Sequence, residues 1–348
     1  MSTEKSQRTT SSAHCNCSGQ CEECRCKDGD QRRVVERGAD IVITAMVWLL
    51  VLCTVACGQP SESSLGHRKS QPGLLIIAHG SPAKPWNQLV LEQEKKVSAA
   101  LGDDNPFIAT KVVFMEFAEP NVADGLEALQ EAGCSRIVAI PLLVAPSSHS
   151  HWDIPALLGI YSDPEIEKAL REEGARPVRA DVPVTLTTTL AESDVIERIM
   201  LKRARQISRQ PDKEALVLVA HGSEAIPPAW DQFLKRTVTY MCGRTGISYG
   251  DWVTVAVGQK YDRAVAAIQE AAEHRERVIV VGAYLSLGVN RIHSRWLTRR
   301  EKQGGEMMGV ANPLAGLDVV LAEQGLLPDE MVTQWIAETA RGEIERHP

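Results

Sequence analysis

Three residues offer chemistry that a strand-and-helix framework could bring together: His79, Glu116 and His149. His79 closes the apolar run that begins at Leu74, in the string Leu-Leu-Ile-Ile-Ala-His-Gly-Ser. His149 follows a second apolar run from Ile137, in Pro141-Leu-Leu-Val-Ala-Pro-Ser-Ser-His149-Ser-His151-Trp-Asp153-Ile-Pro155. Glu116 and Glu119 follow a third run, in Phe114-Met-Glu116-Phe-Ala-Glu119-Pro120. Two imidazoles and a carboxylate converging on one crevice suit a divalent transition metal, and the acid can also accept protons. The plainer reading is that His79 and its counterpart His221 cap a strand-to-helix turn, with Gly80 and Gly222 supplying the backbone freedom.

The elements that must position these residues occur twice. Leu74 to Pro85 and Leu216 to Pro227 are identical at 7 of 12 positions at an offset of 142 residues. Strands are expected at Leu74, Val112 to Met115, Ile137 to Val144 and Val184 to Thr187, with helices at Asn121 to Ala132, Ile154 to Glu172 and Ser193 to Ser208. The second half repeats the alternation with strands at Leu216, Val253 to Val257, Val278 to Leu285 and Val319 to Ala322. Its helices are expected at Asp262 to Glu273, Ile292 to Lys302 and Asp329 to Glu343. Alternating strands and helices argue an α/β fold of two duplicated lobes, 74–212 and 213–348, each a mostly parallel four-stranded sheet with helices on both faces. About 275 residues would let each half bury its own core. In a sheet of order 2-1-3-4, strands 1 and 3 meet at the switch point, so His79 and His149 face one another and strand 2 delivers Glu116 to the same rim.

Composition excludes some partners. With 38 Lys and Arg against 45 Asp and Glu, the net charge of −7 speaks against nucleic acid. The lobes hold only Cys134 and Cys242, which speaks against a disulfide scaffold. Residues 1–40 read as a disordered tail containing Cys15, Cys17, Cys21, Cys24 and Cys26, five thiols that could hold Zn or Cu(I) or could be incidental. Residues 41–58 form an uncharged apolar anchor or signal segment behind Arg32, Arg33 and Arg37, and 59–73 form a polar linker. Cys57 stands where a bacterial lipoprotein would be lipidated, although Thr54 is a poor match for the usual Leu. Membrane association is therefore expected, with the lobes outside the cytoplasm by the positive-inside rule and a cytoplasmic location as the alternative.

The strings Ala78-His-Gly-Ser81, Phe114-Met-Glu-Phe-Ala-Glu-Pro-Asn-Val122 and Ile140 to Leu158 together resemble the sirohydrochlorin chelatases of the CbiX/SirB type, class II tetrapyrrole chelatases, in their duplicated long form. The resemblance implies insertion of Co(II) or Fe(II) into sirohydrochlorin or a related tetrapyrrole, on the way to cobalamin or siroheme. It implies His79 and His149 as metal ligands, Glu116 as proton acceptor with Glu119 in reserve, and a pseudo-dimeric monomer that binds no permanent cofactor. Ser81, Lys84, Ser147, Ser148, Arg291 and Arg295 are candidates for the carboxylate-edged ring of the substrate. His151, His221 and His293 are secondary candidates, and Trp86, Trp152 and Trp230 are read as packing. Ser147-Ser148 departs from the family's usual Gly-Val. In the second lobe Asn290 stands in the slot of His149, no Asp-Ile-Pro follows, and Val255 to Gly258 replaces the acidic segment, so that lobe is expected to support rather than metallate.

Two other readings bear on the same residues. A histidine phosphatase also starts on a strand ending in His-Gly but needs an Arg just before that His, where Ala78 and Ala220 stand. A non-catalytic, membrane-tethered metal or tetrapyrrole carrier would explain the thiols and the apolar run. Since imidazole must lose its proton to hold metal, activity is expected to fall on acidification near pH about 6.5.

Overall fold

The computed structural model describes residues 71–256, 260–303 and 312–347. The cysteine-rich tail, the apolar run with Cys57, most of the 59–73 linker, and Val257 and Gly258 of the segment that replaces the acidic one in the second lobe lie outside the described residues.

Lobe 1 is a four-stranded sheet. It comprises β1 (Gly73–Ala78), β2 (Thr110–Phe114), β3 (Ile137–Pro141) and β4 (Val184–Leu186), in the order β2-β1-β3-β4 with every pair parallel. The unbroken apolar sequence of β1 is fully buried, as expected of a central strand covered on both faces. Helices α1 (Lys84–Leu91), α2 (Gln93–Leu101) and α3 (Val122–Glu131) connect the first three strands. A capping box holds the start of α3: Asn121 accepts from the Asp124 amide while Asp124 accepts from the Asn121 amide. The single helix expected at Ile154 to Glu172 is instead two, α4 (Ile154–Leu157) and α5 (Pro164–Glu172). Gly159 breaks it, with φ of +67° and no room for a Cβ, which would lie 2.8 Å from Arg179 Cα. Asp163 then recaps the chain by accepting from the Glu165 and Ile166 amides, with Pro164 in the first turn. Lobe 1 ends in α6 (Val195–Ile207).

Lobe 2 repeats the topology with β5 (Glu214–Ala220), β6 (Tyr249–Thr254), β7 (Arg277–Ala283) and β8 (Asp318–Leu321), in the order β6-β5-β7-β8, again all parallel. Its helices are α7 (Pro227–Thr245), α8 (Asp262–His274), α9 (Val289–Gln303) and α10 (Glu330–Arg346). Strand β6 starts and stops earlier than the Val253 to Val257 expected, because its ladder follows β5 from Ala215↔Tyr249 to Ala220↔Thr254 and β5 ends at the His221-Gly222 turn.

The two sheets do not bury separate cores. Leu74, Ile76 and Ala78, on one face of β1, belong to a core that continues through β5, β7 and the lobe 2 helices, whereas Leu75 and Ile77 face a smaller core under α3, α4 and α5. Both lobes lie within one compact unit. Matching elements meet across the junction: α6 packs on α7 as α10 packs on α2. Trp230 Nε1 donates to Pro146 O at 2.8 Å, and on the reciprocal side Ser286 Oγ donates to Trp86 O at 3.4 Å. Such reciprocity is the mark of an isologous contact, here within one chain. Buried polar bonds lock it, among them Thr333 Oγ1 to Gln93 Oε1 at 2.7 Å and Arg203 Nε to Gly325 O at 3.2 Å. Among the described residues no helix is long and apolar enough to cross a membrane.

Candidate functional site

The site is built from three strand ends. Beyond Ala78 the chain turns at Gly80, whose φ of +93° and absent Cβ are both required: a Cβ there would lie 1.8 Å from Glu116 O. This close approach continues the β1–β2 ladder past the strands, with Met115 N donating to Ala78 O and Glu116 N to His79 O, each at 2.9 Å. His79 and Glu116 are thus fixed side by side. His149 arrives from β3 on a π-helical turn, His149–Asp153, in which the Ile154 amide bonds back to His149 O. π turns are rare and are enriched at functional sites.

One nitrogen or carboxylate oxygen each from His79, Glu116 and His149 lie within 4.8 Å of one another, and all three residues are half-buried. The two imidazoles meet edge to face with ring centroids 4.7 Å apart. Their outer nitrogens are committed. His79 Nδ1 lies 3.0 Å from Gly80 O, which can only accept, so the proton sits on Nδ1 and Nε2 carries the lone pair. His149 Nδ1 lies 2.7 Å from Asp153 Oδ2, which assigns the same tautomer. Asp153 thereby braces the His149 imidazole, an arrangement that would orient it if it held a metal. The hydrogen bond to Asp153 raises the pKa of His149 above the ordinary histidine value, aided by the charges of Asp153, Glu116 and Glu173 and opposed by burial.

Of the other expected residues, Ser81 accepts from the Ala83 amide and its carbonyl accepts from Asn87, so it shapes the start of α1, where Lys84 is exposed. Ser147 and Ser148 are half-buried, and Ser147 is tied to Ser150 across the turn that carries His149. Glu119 is exposed and accepts from Asn121 Nδ2 at 3.1 Å. His151 is exposed, with Nδ1 3.1 Å from Ser147 O, and does not join the three. Arg291 and Arg295 are exposed on the first turns of α9. His293 does not face the crevice: it is 5% exposed, between Tyr261 and Trp296, and burial lowers its pKa. Trp230 is buried and Trp86 partly so, in keeping with packing, whereas Trp152 is 39% exposed.

His221 repeats the turn of His79, with Nδ1 2.7 Å from Gly222 O and Gly222 at φ of +82°. Its pKa is lowered by desolvation and by the neighbouring His79 and His149, against the Gly222 bond, which raises it. Val255 N donates to Ala220 O and Ala256 N to His221 O, so Ala256 takes the place of Glu116. The bonds Tyr284 N to Gly282 O and Leu326 N to Tyr284 O match Leu143 N to Pro141 O and Leu190 N to Leu143 O, which sets Asn290 at the place of His149 and Ser294 at that of Asp153.

The CbiX family model matches residues 73–207. The match coincides with the first lobe, which is thus similar to that family. The sirohydrochlorin cobaltochelatase of Saccharolobus solfataricus is 29% identical to the chain over 134 residues, 38% of this chain and 94% of that protein. The sirohydrochlorin cobaltochelatase of Methanococcoides burtonii is 29% identical over 136 residues, 39% of this chain and 95% of that protein. Among solved structures, the sirohydrochlorin chelatase SirB from Bacillus subtilis subspecies spizizenii, in complex with cobalt, is similar at a TM-score of 0.54 and 17% identity, covering 80% of this chain and 97% of that one. SirB from Bacillus subtilis with Fe3+ gives 0.55 and 18%, with 80% and 98% covered. At this identity the likeness establishes the fold, and its coverage extends beyond the residues that the family model matches.

Two residues beside the three stand outside the sequence expectations for the site. Asp153 was legible as the residue four after His149, a spacing that brings side chains to one face of a helical turn. Phe117, whose ring centroid lies 5.9 Å from that of His79, gave no such signal.

Proposed function

We propose that the protein is a chelatase that inserts a divalent transition metal, Co(II) or Fe(II), into sirohydrochlorin or a closely related tetrapyrrole. The observation that carries the reading is the group His79, Glu116 and His149, with ligand atoms within 4.8 Å of one another at the carboxyl ends of β1, β2 and β3 in the lobe that the CbiX family model matches. The substrates named for the relatives support it, since both are sirohydrochlorin cobaltochelatases.

The residues fit the steps of such a reaction. Neutral Nε2 atoms of His79 and His149 exchange for water on the incoming metal and hold it by an incomplete shell, leaving coordination positions for the pyrrole nitrogens. Metallation expels two N–H protons for each divalent ion inserted. The Glu116 carboxylate accepts them in turn and, being half-buried, passes them to water. Lobe 2, with Ala256 and Asn290 at the corresponding places, closes the crevice and takes no second metal. The repeated strand order and turn geometry support descent of the two lobes from one duplicated unit. The apolar run at residues 41–57 is the basis for proposing attachment to a membrane, with the lobes outside the cytoplasm; recovery of the full chain wholly in the soluble fraction would remove that part.

The test is to incubate the full chain with metal-free sirohydrochlorin and Co(II), or anaerobically with Fe(II), and follow the absorbance change of metallation. Acceleration over the protein-free rate is expected. Binding of both partners without turnover would favour the non-catalytic carrier, for which the thiols at Cys15 to Cys26 and the apolar run are the reason to keep the comparison.

A further inference from the structure

We infer that Phe117 is a contact for the flat face of the macrocycle, a substrate-binding residue that positions the ring over the His79–His149 pair. The inference deepens the proposed function and rests on it for the identity of the ring. Phe117 lies on a short loop whose ends are tied together: Phe114 N donates to Pro120 O at 2.9 Å and Phe114 bridges to Asn121. The loop is also held from beneath, where Glu116 N bonds to His79 O and Glu116 O closes on Gly80. Residue 117 is therefore fixed at the rim next to the metal ligands.

Two properties of Phe117 work against the folded chain by itself. Its φ of +62° is a left-handed conformation that disfavours a bulky side chain. Its ring is 62% exposed and belongs to neither hydrophobic core, although its neighbour Ala118 packs against the larger one. A Gly or Asn would fit this backbone at less cost and leave no apolar ring in water. What the ring does contact is His79, at 5.9 Å between centroids with the planes 33° apart. Trp152, another of the few large apolar residues left exposed, is on the turn that carries His149. Exposed aromatic rings thus stand on the two segments that deliver Glu116 and His149, and an apolar planar ligand is the chemistry that would cover them.

Phe117→Asn removes the ring while fitting the left-handed backbone, and Phe117→Trp restores an aromatic face. Sirohydrochlorin binding without metal is measured by absorbance titration, Co(II) binding without the tetrapyrrole by titration of its visible absorption, and the two are compared with KM and kcat. The expected result for Phe117→Asn is a rise of about tenfold in the sirohydrochlorin Kd and KM, with Co(II) affinity unchanged and recovery in Phe117→Trp. A sirohydrochlorin Kd within twofold of the unaltered protein, in a variant whose circular dichroism is native, would overturn the inference. Loss of Co(II) affinity instead would also overturn it, by making Phe117 a support for His79. If the unaltered protein binds the ring but does not metallate it, the chelatase reading fails while the binding titration still decides on Phe117. If it does not bind the ring at all, both fail.

Discussion

The carboxyl ends of the two sheets have the same backbone and opposite chemistry. Both have a His-Gly turn with glycine at positive φ, both continue the ladder from the strand-2 segment onto the histidine carbonyl, and both return from strand 3 into a helical turn. In lobe 1 the turn is π-helical and presents His149, braced by Asp153 at 2.7 Å. In lobe 2 the equivalent residues open α9, an α-helix: Asn290 Oδ1 accepts from the Arg291 amide at 2.6 Å, and Ser294 Oγ donates to Asn290 O at 2.9 Å. Ala256 replaces the acid. The comparison separates what the fold needs from what the reaction needs. The glycine turn serves the fold in both halves, whereas among the described residues the acid, the second histidine and the wider turn occur only in the first, where His79, Glu116 and His149 converge.

The comparison breaks most severely at the histidines. His149→Ala and His79→Ala each delete an imidazole of the proposed metal site, and each is expected to lower the initial metallation rate by more than about a hundredfold. Glu116→Gln keeps the shape and removes the proton acceptor. It is expected to slow turnover by about a hundredfold while Co(II) affinity stays within a few-fold, checked by comparing kcat with a Co(II) titration.

Asp153→Asn tests the brace. Asp153 raises the pKa of His149, so on acidification the proton competes for Nε2 at a higher pH than for an ordinary imidazole. Metallation should therefore begin to fall above pH about 6.5, higher than the sequence alone suggests. Removing the carboxylate moves the acid limb of the pH–rate profile to lower pH and lowers activity at its plateau by roughly tenfold to a hundredfold. An acid limb that does not move would mean that His149 is not the titrating ligand. A smaller effect is expected at the junction. Trp230→Phe removes the bond to Pro146 O on the segment leading to His149, costing about 1 kcal/mol of stability by denaturant melt and a few-fold in rate.

Much of this was legible in the sequence because it rests on local rules. Unbroken apolar runs such as Leu74 to Ala78 mark buried parallel strands, the twin His-Gly strings mark twin turns, and the strand order follows from alternation and handedness. The convergence of His79, Glu116 and His149 follows from that order. The break at Gly159 was written in Gly159 and Asp163-Pro164 but was masked by the apolar periodicity around it. The shared core was not legible, since the alternation of Leu74 and Ile76 against Leu75 and Ile77 states that β1 has two buried faces and not which partner covers each. Nor was the burial of His293, which depends on Tyr261 at the start of α8 packing against His293 and Trp296 of α9, or the positive φ of Phe117, which depends on the tied loop around it.

The central claim is the asymmetry, and the matched pair His149→Ala and His221→Ala tests it most directly. His221 has the turn and tautomer of His79, but among the described residues Ala256 and Asn290 stand where lobe 1 has its acid and its second histidine. The measurement is the initial metallation rate of both variants beside a Co(II) titration, with folding checked by circular dichroism. The account predicts that His149→Ala abolishes turnover and the nitrogen-bound Co(II) signal while His221→Ala keeps both within a few-fold; equal losses in the two variants would mean that the metal is shared across the lobes and would contradict it.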